Sequence, residues 1–166
     1  YRSTKQIQAF CQAILPKVKV EPIDRPGPLP RLTKVKNNRN LPAAIRKAID
    51  DVHKGGWRSI GIICKNTRQC QELFSALKDH ISLNLVVDED DEFQRGIVVI
   101  PSYLAKGLEF DAVNADAVNY AGEEERQVLY IVCTRALHFL ILFYIGAPSP
   151  FITKIDKTLY SYNNGQ

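Results

Sequence analysis

The sequence predicts an α/β fold in which a parallel sheet lies between layers of helices. Apolar runs of strand length recur at residues 59–64, 83–87, 96–101 and 138–145. Patterns typical of helices separate most of these runs, and strands that are apolar throughout are typical of parallel sheets buried on both faces. The chain has 166 residues, which is enough for one domain with a sizeable core.

The first third of the chain predicts two helices joined by a proline-rich connector. Residues 3–15 place apolar side chains at helical spacing behind a Ser/Thr cap, and Pro16 ends the pattern. Residues 17–36 contain a cluster of prolines, so we expect a rigid connector without regular secondary structure. Residues 41–54 predict an amphipathic helix that stops at Gly55.

The remainder alternates predicted strands and helices. A strand at 59–64 precedes a helix at 67–79, for which Asn66 or Thr67 is the expected cap. The later elements are strands at 83–87, 96–101 and 111–118, a helix with an acidic first turn at 122–137, and a strand at 138–145. After Pro150 we expect a polar tail that ends in a short helix or a frayed segment.

Charge is unevenly distributed along the chain. Residues 1–58 hold 13 Lys and Arg against 4 Asp and Glu, whereas residues 59–166 hold 9 against 14. The basic part is compatible with a polyanionic partner, and also with an ordinary solvated surface. No apolar run is long enough to cross a bilayer and no secretory signal opens the sequence, so we expect a cytoplasmic protein without a membrane partner.

The cysteines predict no metal site. Cys11, Cys64, Cys70 and Cys133 form no C-x-x-C pair and have no histidine at metal-ligand spacing, so we expect buried, reduced thiols. The acidic run at residues 88–92 lacks the glycine and the spaced glutamate of a calcium loop, and predicts a solvated loop.

A turn between two predicted strands carries residues that suit a nucleotide. Gly107 permits a tight turn or the close approach of a ligand, and a helical turn would place Lys106 and Glu109 on one side. A lysine can meet a phosphate, and a carboxylate can accept from ribose hydroxyls. The alternative is an ordinary surface turn with a Lys–Glu salt bridge.

Two arginines are candidates for contacting an anion. Arg135 stands near the end of a predicted helix among apolar and small residues, and a guanidinium matches a phosphate and stabilises charge in phosphoryl transfer. Its alternatives are an internal ion pair with a glutamate of residues 123–125, or a cation at the helix C-terminus. Arg2, just before the first helix, is either an anion contact or a frayed terminal residue.

A site for a nucleoside triphosphate would be incomplete on this chain. The sequence contains no G-x-x-x-x-G-K-[ST] loop, the Walker A loop that cradles phosphates. The chain also contains no methionine, which we interpret as a sign of a fragment or a processed chain.

Taken together, several stretches resemble the C-terminal helicase motifs of superfamily 1, the UvrD/Rep group. YRST at residues 1–4 resembles the end of motif IV, and GIICKNTRQCQELFSAL at 61–77 resembles motif IVa. IPSYLAKGLEFDAV at 100–113 resembles motif V, and VLYIVCTRALHFL at 128–140 resembles motif VI. The last two resemble most the HelD, or helicase IV-like, branch, which is associated with RNA polymerase in Gram-positive bacteria.

This resemblance implies a RecA-like domain, the second of two, at residues 1–150, followed by a polar tail at 151–166. It implies that Arg135 and Arg2 reach the γ-phosphate of ATP, which the first RecA-like domain would hold with Mg²⁺. Glu109 would contact the ribose.

The resemblance also assigns a path for nucleic acid. Lys106 and Gly107 would shape a loop that links nucleotide state to the grip on a single strand. Tyr103 would stack on a base, and phosphates would meet three consecutive residues, Asn66, Thr67 and Arg68.

Two functions remain open at this point. The first is the C-terminal domain of an ATP-dependent DNA helicase or translocase, inactive as an isolated chain. The second is a non-catalytic module with degenerate ATPase chemistry that docks on RNA polymerase or nucleic acid. The large insertion that UvrD-type helicases carry in this half is absent, which favours remodelling of a protein–nucleic-acid complex over processive unwinding.

Overall fold

The computed structural model describes residues 3–19, 21, 23–92, 95–118 and 120–164. Its helices are α1 (Lys5–Ile14), α2 (Leu41–Lys54), α3 (Thr67–Leu77), α4 (Ser102–Ala105), α5 (Glu123–Thr134) and α6 (Pro150–Thr153). Its strands are β1 (Arg31–Lys34), β2 (Ile60–Cys64), β3 (Asn84–Leu85), β4 (Ile97–Pro101), β5 (Phe110–Asp116), β6 (Ala136–Tyr144) and β7 (Ser161–Asn164). Short 3₁₀ turns occupy Asn38–Asn40 and Lys157–Leu159.

The described strands form one parallel sheet in the order β3-β4-β2-β5-β6-β1-β7. The central strands β2 and β4 are buried along their whole length. Helices α1, α5 and α6 supply buried side chains to the core on one face, and α2 and α3 supply them on the other. The predicted α/β class with helices on both faces is therefore confirmed.

Local sequence signals predicted the positions and caps of the longer helices. The predicted helix at 41–54 coincides with α2, because its apolar stripe and its stop at Gly55 are both local features. Thr4 caps α1 by accepting a hydrogen bond from the Ile7 backbone N–H. Of the two caps proposed for α3, Asn66 is the one used, since its side chain accepts from the Gln69 N–H at 2.9 Å.

Two short strands lie where none was predicted. Residues 17–36 were expected to lack regular structure, but β1 follows the last proline of the connector and pairs with β6. Beyond α6, the chain was expected to end in a short helix or a frayed segment, yet β7 forms and pairs with β1. Both strands have only four residues, and pairing with a neighbour, rather than their own pattern, orders them.

A close contact at the centre of the sheet requires a glycine. A Cβ atom at Gly61, in β2, would lie 2.6 Å from Cδ2 of Phe110, the first residue of β5. Phe110 is 1% exposed and belongs to the core between the sheet and α5. Its ring therefore takes the space that any larger residue at position 61 would need.

The parallel arrangement gives the sheet two distinct edges. We call the edge where the strands begin the amino edge, and the edge where they end the carboxyl edge. The turn at residues 106–109 and the α5–β6 junction lie at the amino edge, since they immediately precede β5 and β6. The loops that follow β2 and β4 lie at the carboxyl edge.

An aromatic stack lies near the amino edge. The rings of Trp57 and His138 are parallel to within 15°, with centroids 3.8 Å apart. Burial, together with the positive charge of Arg25, lowers the pKa of His138, although Asp111 acts in the opposite sense. The neutral imidazole is thus the form that this packing favours.

Among the described helices, none is both long and apolar enough to cross a membrane.

We expect the substitution Gly61→Ala to destabilise the chain by about 1–3 kcal/mol, because the added methyl group overpacks the Phe110 ring. Urea unfolding of the 166-residue chain would measure the loss. The double variant Gly61→Ala/Phe110→Leu should lose less than the sum of the two single variants. Strict additivity would contradict the proposed clash.

We expect His138 to make stability depend on pH. Because the pKa of His138 is lower in the folded chain, the unfolded chain binds the proton more tightly, and stability falls as the pH drops through about 6.5. The variant His138→Phe, which keeps a ring against Trp57, should show a shallower fall. Urea unfolding at a series of pH values measures this, and identical slopes for the two proteins would contradict it.

Candidate nucleotide and nucleic-acid surfaces

The segment of residues 102–109 crosses the height of the sheet, from the carboxyl edge of β4 to the amino edge of β5. Its first residue is anchored, since the Ser102 hydroxyl donates to the Lys65 carbonyl at 3.1 Å. After the single turn of α4, the backbone turns at Gly107, whose φ of +88° disfavours residues with a side chain. The prediction that Gly107 serves a tight turn is consistent with this conformation.

The helical turn that would place Lys106 and Glu109 on one side does not form. Helix α4 ends at Ala105, and Lys106 has an extended ψ of 128°, so no helical turn joins the two residues. Both side chains are exposed, and among the described residues neither has a hydrogen-bond or ion-pair partner. The alternative of a Lys–Glu salt bridge is therefore not seen either, and both side chains are available at the amino edge.

Arg135 closes the C-terminus of α5 and is held by its surroundings. Its Nε donates to the Ile131 carbonyl at 3.2 Å, and Nη2 donates to Thr134 Oγ1 at 3.1 Å. Its Nη1 donates to the carbonyl of Leu108 at 3.2 Å. A guanidinium has five N–H groups, so two of them remain without an acceptor in the described part of the chain.

The internal ion pair considered for Arg135 does not form. Glu123 instead lies 3.6 Å from Arg126, and Glu125 pairs with Lys65. No carboxylate of the described residues neutralises the half-buried guanidinium, which two carbonyls and the Thr134 hydroxyl hold instead. This is the electrostatic state of a cation that can still accept an anion.

The chain before α1 lies beside Arg135. The Thr4 N–H donates to the Leu137 carbonyl at 3.1 Å, and the Ser3 hydroxyl donates to the carbonyl of Ala136, the residue after Arg135. Arg2, proposed to share the anion with Arg135, lies outside the described residues.

Sequence reasoning missed Arg25. The connector places it at the amino edge, where its carbonyl accepts from the Lys5 N–H at 2.9 Å and its Nη2 lies 3.5 Å from the Leu137 carbonyl. Nothing in the local sequence signals this position, because it depends on how the proline-rich connector packs across the start of α1.

The residues proposed for nucleic acid lie at the opposite, carboxyl edge. Tyr103 is 61% exposed, and its hydroxyl lies 3.0 Å from Thr67 Oγ1 and donates to the Val87 carbonyl at 3.2 Å. The phenol is therefore fixed at its tip while its ring faces solvent. Arg68 is exposed and makes an i,i+4 pair with Glu72 at 3.1 Å, a kind of pair that contributes little to stability.

An ionic cluster that sequence reasoning did not identify lies at the same edge. The Lys65 ammonium pairs with Glu125 and lies 5.4 Å from the centre of the Tyr120 ring. The hydrogen bond from Lys65 lowers the pKa of Glu125, whereas burial raises the pKa of nearby Asp116. The position of Lys65 directly after β2 was the available signal.

The two groups of site residues therefore do not meet. Arg135, Lys106, Gly107 and Glu109 lie at the amino edge, and the Tyr103 group lies at the carboxyl edge. The segment 102–109 joins them, with Ser102 bonded at one edge and Leu108 bonded to Arg135 at the other.

The residues present would fit ATP from one side only. The amino edge offers the partly free guanidinium of Arg135 and the exposed Lys106 and Glu109, which suit phosphate and ribose. The sequence has no Walker A loop to cradle the phosphates. Among the described residues, no group of three or more His, Cys, Asp or Glu could hold a metal ion.

No family model and no curated protein matches the chain, but solved structures do. The UvsW helicase of bacteriophage T4 is 12% identical with a TM-score of 0.54, over 92% of this chain and 65% of that one. An Arterivirus helicase, nonstructural protein 10 in complex with DNA, is 11% identical with a TM-score of 0.52, over 96% of this chain and 37% of that one. These two similarities show the fold alone.

A third solved structure is much more similar in sequence. The C-terminal domain of a possible DNA helicase from Lactobacillus plantarum WCFS1 is 35% identical to this chain, with a TM-score of 0.80 over 99% of both chains. The seven-stranded parallel sheet flanked by helices is thus the RecA-like α/β fold of helicase C-terminal domains. The chain belongs to the family of helicase C-terminal domains that the Lactobacillus structure represents.

Proposed function

We propose that this chain is the second RecA-like domain of a superfamily 1 ATP-dependent DNA helicase or translocase. It supplies arginine and ribose contacts to ATP, which the N-terminal RecA-like domain of the full-length protein binds with Mg²⁺. The observation that carries the proposal is the segment 102–109, which connects Arg135 at one edge of the sheet to Tyr103 at the other.

On the nucleotide side, Arg135 acts as an arginine finger in cis. Within the described residues two of its N–H groups have no acceptor and can meet an anion, and the bonds to Ile131 and Leu108 orient the guanidinium. An oriented cation stabilises the charge that develops on a transferring phosphoryl group. Glu109, exposed at the same edge, would accept from the ribose hydroxyls.

On the nucleic-acid side, Tyr103 offers its ring to a base of single-stranded DNA. Its hydroxyl is fixed by Thr67 and Val87, so the ring loses little freedom on stacking. Asn66, Thr67 and Arg68 open α3 at the same surface, where a helix N-terminus favours phosphate. The Arterivirus helicase, whose structure contains DNA, provides a fold-level precedent for this kind of ligand.

Coupling between the two surfaces would run through the turn at Gly107. An anion that draws Arg135 outward would pull on the Leu108 carbonyl, because Nη1 is bonded to it. Only one turn of helix and a short turn separate Leu108 from Tyr103. Movement of Arg135 would thus change the position of the stacking residue.

The second candidate is a non-catalytic module with degenerate ATPase chemistry that docks on RNA polymerase or nucleic acid, and no specific feature of the described residues favours RNA polymerase as its partner. Assignment to the HelD branch likewise rests only on the amino-acid sequences of residues 100–113 and 128–140.

We expect Arg135→Ala in the full-length protein to reduce DNA-stimulated ATP turnover by roughly 10³–10⁵-fold, as loss of an arginine finger does. Arg39→Ala, which removes an exposed arginine from the 3₁₀ turn before α2, is the matched control and should retain full turnover. Turnover should be measured with and without single-stranded DNA, alongside thermal unfolding to show that both variants fold. The isolated 166-residue chain should hydrolyse no ATP.

An active wild type with an unaffected Arg135→Ala variant would make Arg135 structural and remove the motif VI assignment. A full-length wild type without any turnover would instead leave the docking module as the better hypothesis.

We expect Tyr103→Ala to weaken the binding of single-stranded DNA by the full-length protein by about 1–3 kcal/mol, the usual contribution of one stacked base. Tyr103→Phe keeps the ring and removes only the hydroxyl that bonds Thr67, so it should retain most of the affinity. Fluorescence anisotropy with a labelled oligonucleotide at fixed salt measures both. Equal losses for the two variants would assign the effect to the hydroxyl and contradict stacking.

A further inference from the structure

A cleft of about 460 Å³ opens at the carboxyl edge, between α2 and α3. Its volume lies in the range of small-molecule sites. The last residues of three neighbouring strands, Cys64, Asp116 and Tyr144, line it. None of the residues proposed above for ATP or DNA lines it.

The cleft lies where the connections of the sheet diverge. Strand β2 continues into α3 on one face, whereas its neighbour β5 continues into α5 on the opposite face. The crevice left between two such strands at their carboxyl ends is the place where open α/β sheets bind ligands. Its position is therefore a consequence of the topology and independent of the amino-edge site.

A buried polar side chain without a partner lies against this cleft. Asn114, in β5, lines it and is only 1% exposed. Neither Oδ1 nor Nδ2 has a hydrogen-bond partner in the described part of the chain. An unpaired buried amide carries a desolvation cost that a well-placed ligand removes. The amide has one acceptor and one donor side, so a matching ligand presents a donor and an acceptor next to each other.

The other residues that line the cleft restrict the chemical class of its ligand further. The walls and floor are largely apolar, with Leu41 and Ile45 from α2, Leu73 from α3, and Ile62 and Phe143 from the sheet. The charged lining residues are Glu72 and Asp116, and no Lys or Arg is among those the structure describes there. An acidic lining disfavours phosphate. A neutral, flat ring with a donor and an acceptor on one edge fits the unpaired amide, the apolar walls and the acidic lining.

We propose that the cleft between α2 and α3 binds a nucleobase, recognised by the side-chain amide of Asn114. Bidentate pairing of an asparagine amide with the edge of adenine is a common geometry. The base comes either from a free nucleoside or from a strand at the adjoining loop of residues 66–68. Only this second source rests on the proposed DNA path.

Adenosine is the first probe, because it carries the base without a phosphate. Titration into the 166-residue chain, followed by calorimetry, should show saturable binding. The analogue N6,N6-dimethyladenosine, which lacks the N6 donors, should bind at least about tenfold more weakly. The variant Asn114→Leu should weaken adenosine binding by a similar factor while remaining at least as stable as the wild type, because it replaces an unpaired amide with an apolar group of like size.

A second pair of variants tests the place of binding without altering Asn114. Ala76 is exposed on α3 and lines the cleft, so Ala76→Phe should fill the mouth and abolish binding. Ser75 is exposed on the same turn but does not line the cleft, so Ser75→Phe should leave binding unchanged.

The two sources of the base are distinguished with an adenine oligodeoxynucleotide. If Asn114→Leu weakens adenosine binding, the cleft takes a free nucleoside. If it weakens only oligonucleotide binding, the cleft takes a base from a strand. If neither probe distinguishes Asn114→Leu from wild type, the inference is overturned. In that last case, oligonucleotide binding that still depends on Tyr103 would leave the proposed DNA surface intact.

Discussion

A parallel sheet requires the chain to return across the full height of the sheet before each new strand, and this constraint shapes the whole domain. Between β4 and β5 the return takes only residues 102–109, which is too short for the usual helical crossover. The chain makes one turn of helix and then a turn at Gly107. Because this connection is short and bonded at both ends, the two edges of the domain are linked directly.

Arg135 depends on that short connection. Its guanidinium is half-buried without a carboxylate, and the carbonyls of Leu108 and Ile131 compensate for the lost hydration. The charge is therefore tolerated but not neutralised. That state suits the proposed role of Arg135, which needs an anion supplied from outside the chain. An arginine already paired with Glu123 or Glu125 would have to break that pair first.

How much the sequence predicts depends on how local the signal is. The bounds of α2 followed from its stripe and stop, and the strands β2, β4 and β6 followed from continuous apolar runs. The strands β1 and β7 were missed, because four mixed residues become a strand only when a neighbour supplies hydrogen bonds.

The residues of the candidate site likewise divide into those with a local sequence signal and those without one. Residue types and spacing pointed to Arg135 and Gly107, and the resemblance to helicase motifs pointed to Tyr103, since each belongs to a short continuous stretch. No helical turn joins Lys106 to Glu109, because the extended ψ at Lys106 ends the helix. Arg25 and Asn114 carried no local signal. Their positions depend on the connector crossing α1 and on which face of β5 points toward α2.

The sequence by itself determined the α/β class, the order of most elements and the residue types available for an anion and a base. The tertiary structure alone decided that these residues lie at opposite edges of one sheet, that Arg135 is held by carbonyls, and that an unpaired amide borders a cleft. Local patterns fix what short-range hydrogen bonds and side-chain periodicity can specify. Relations between distant segments depend on strand order and helix packing, and these are set only when the whole core is buried.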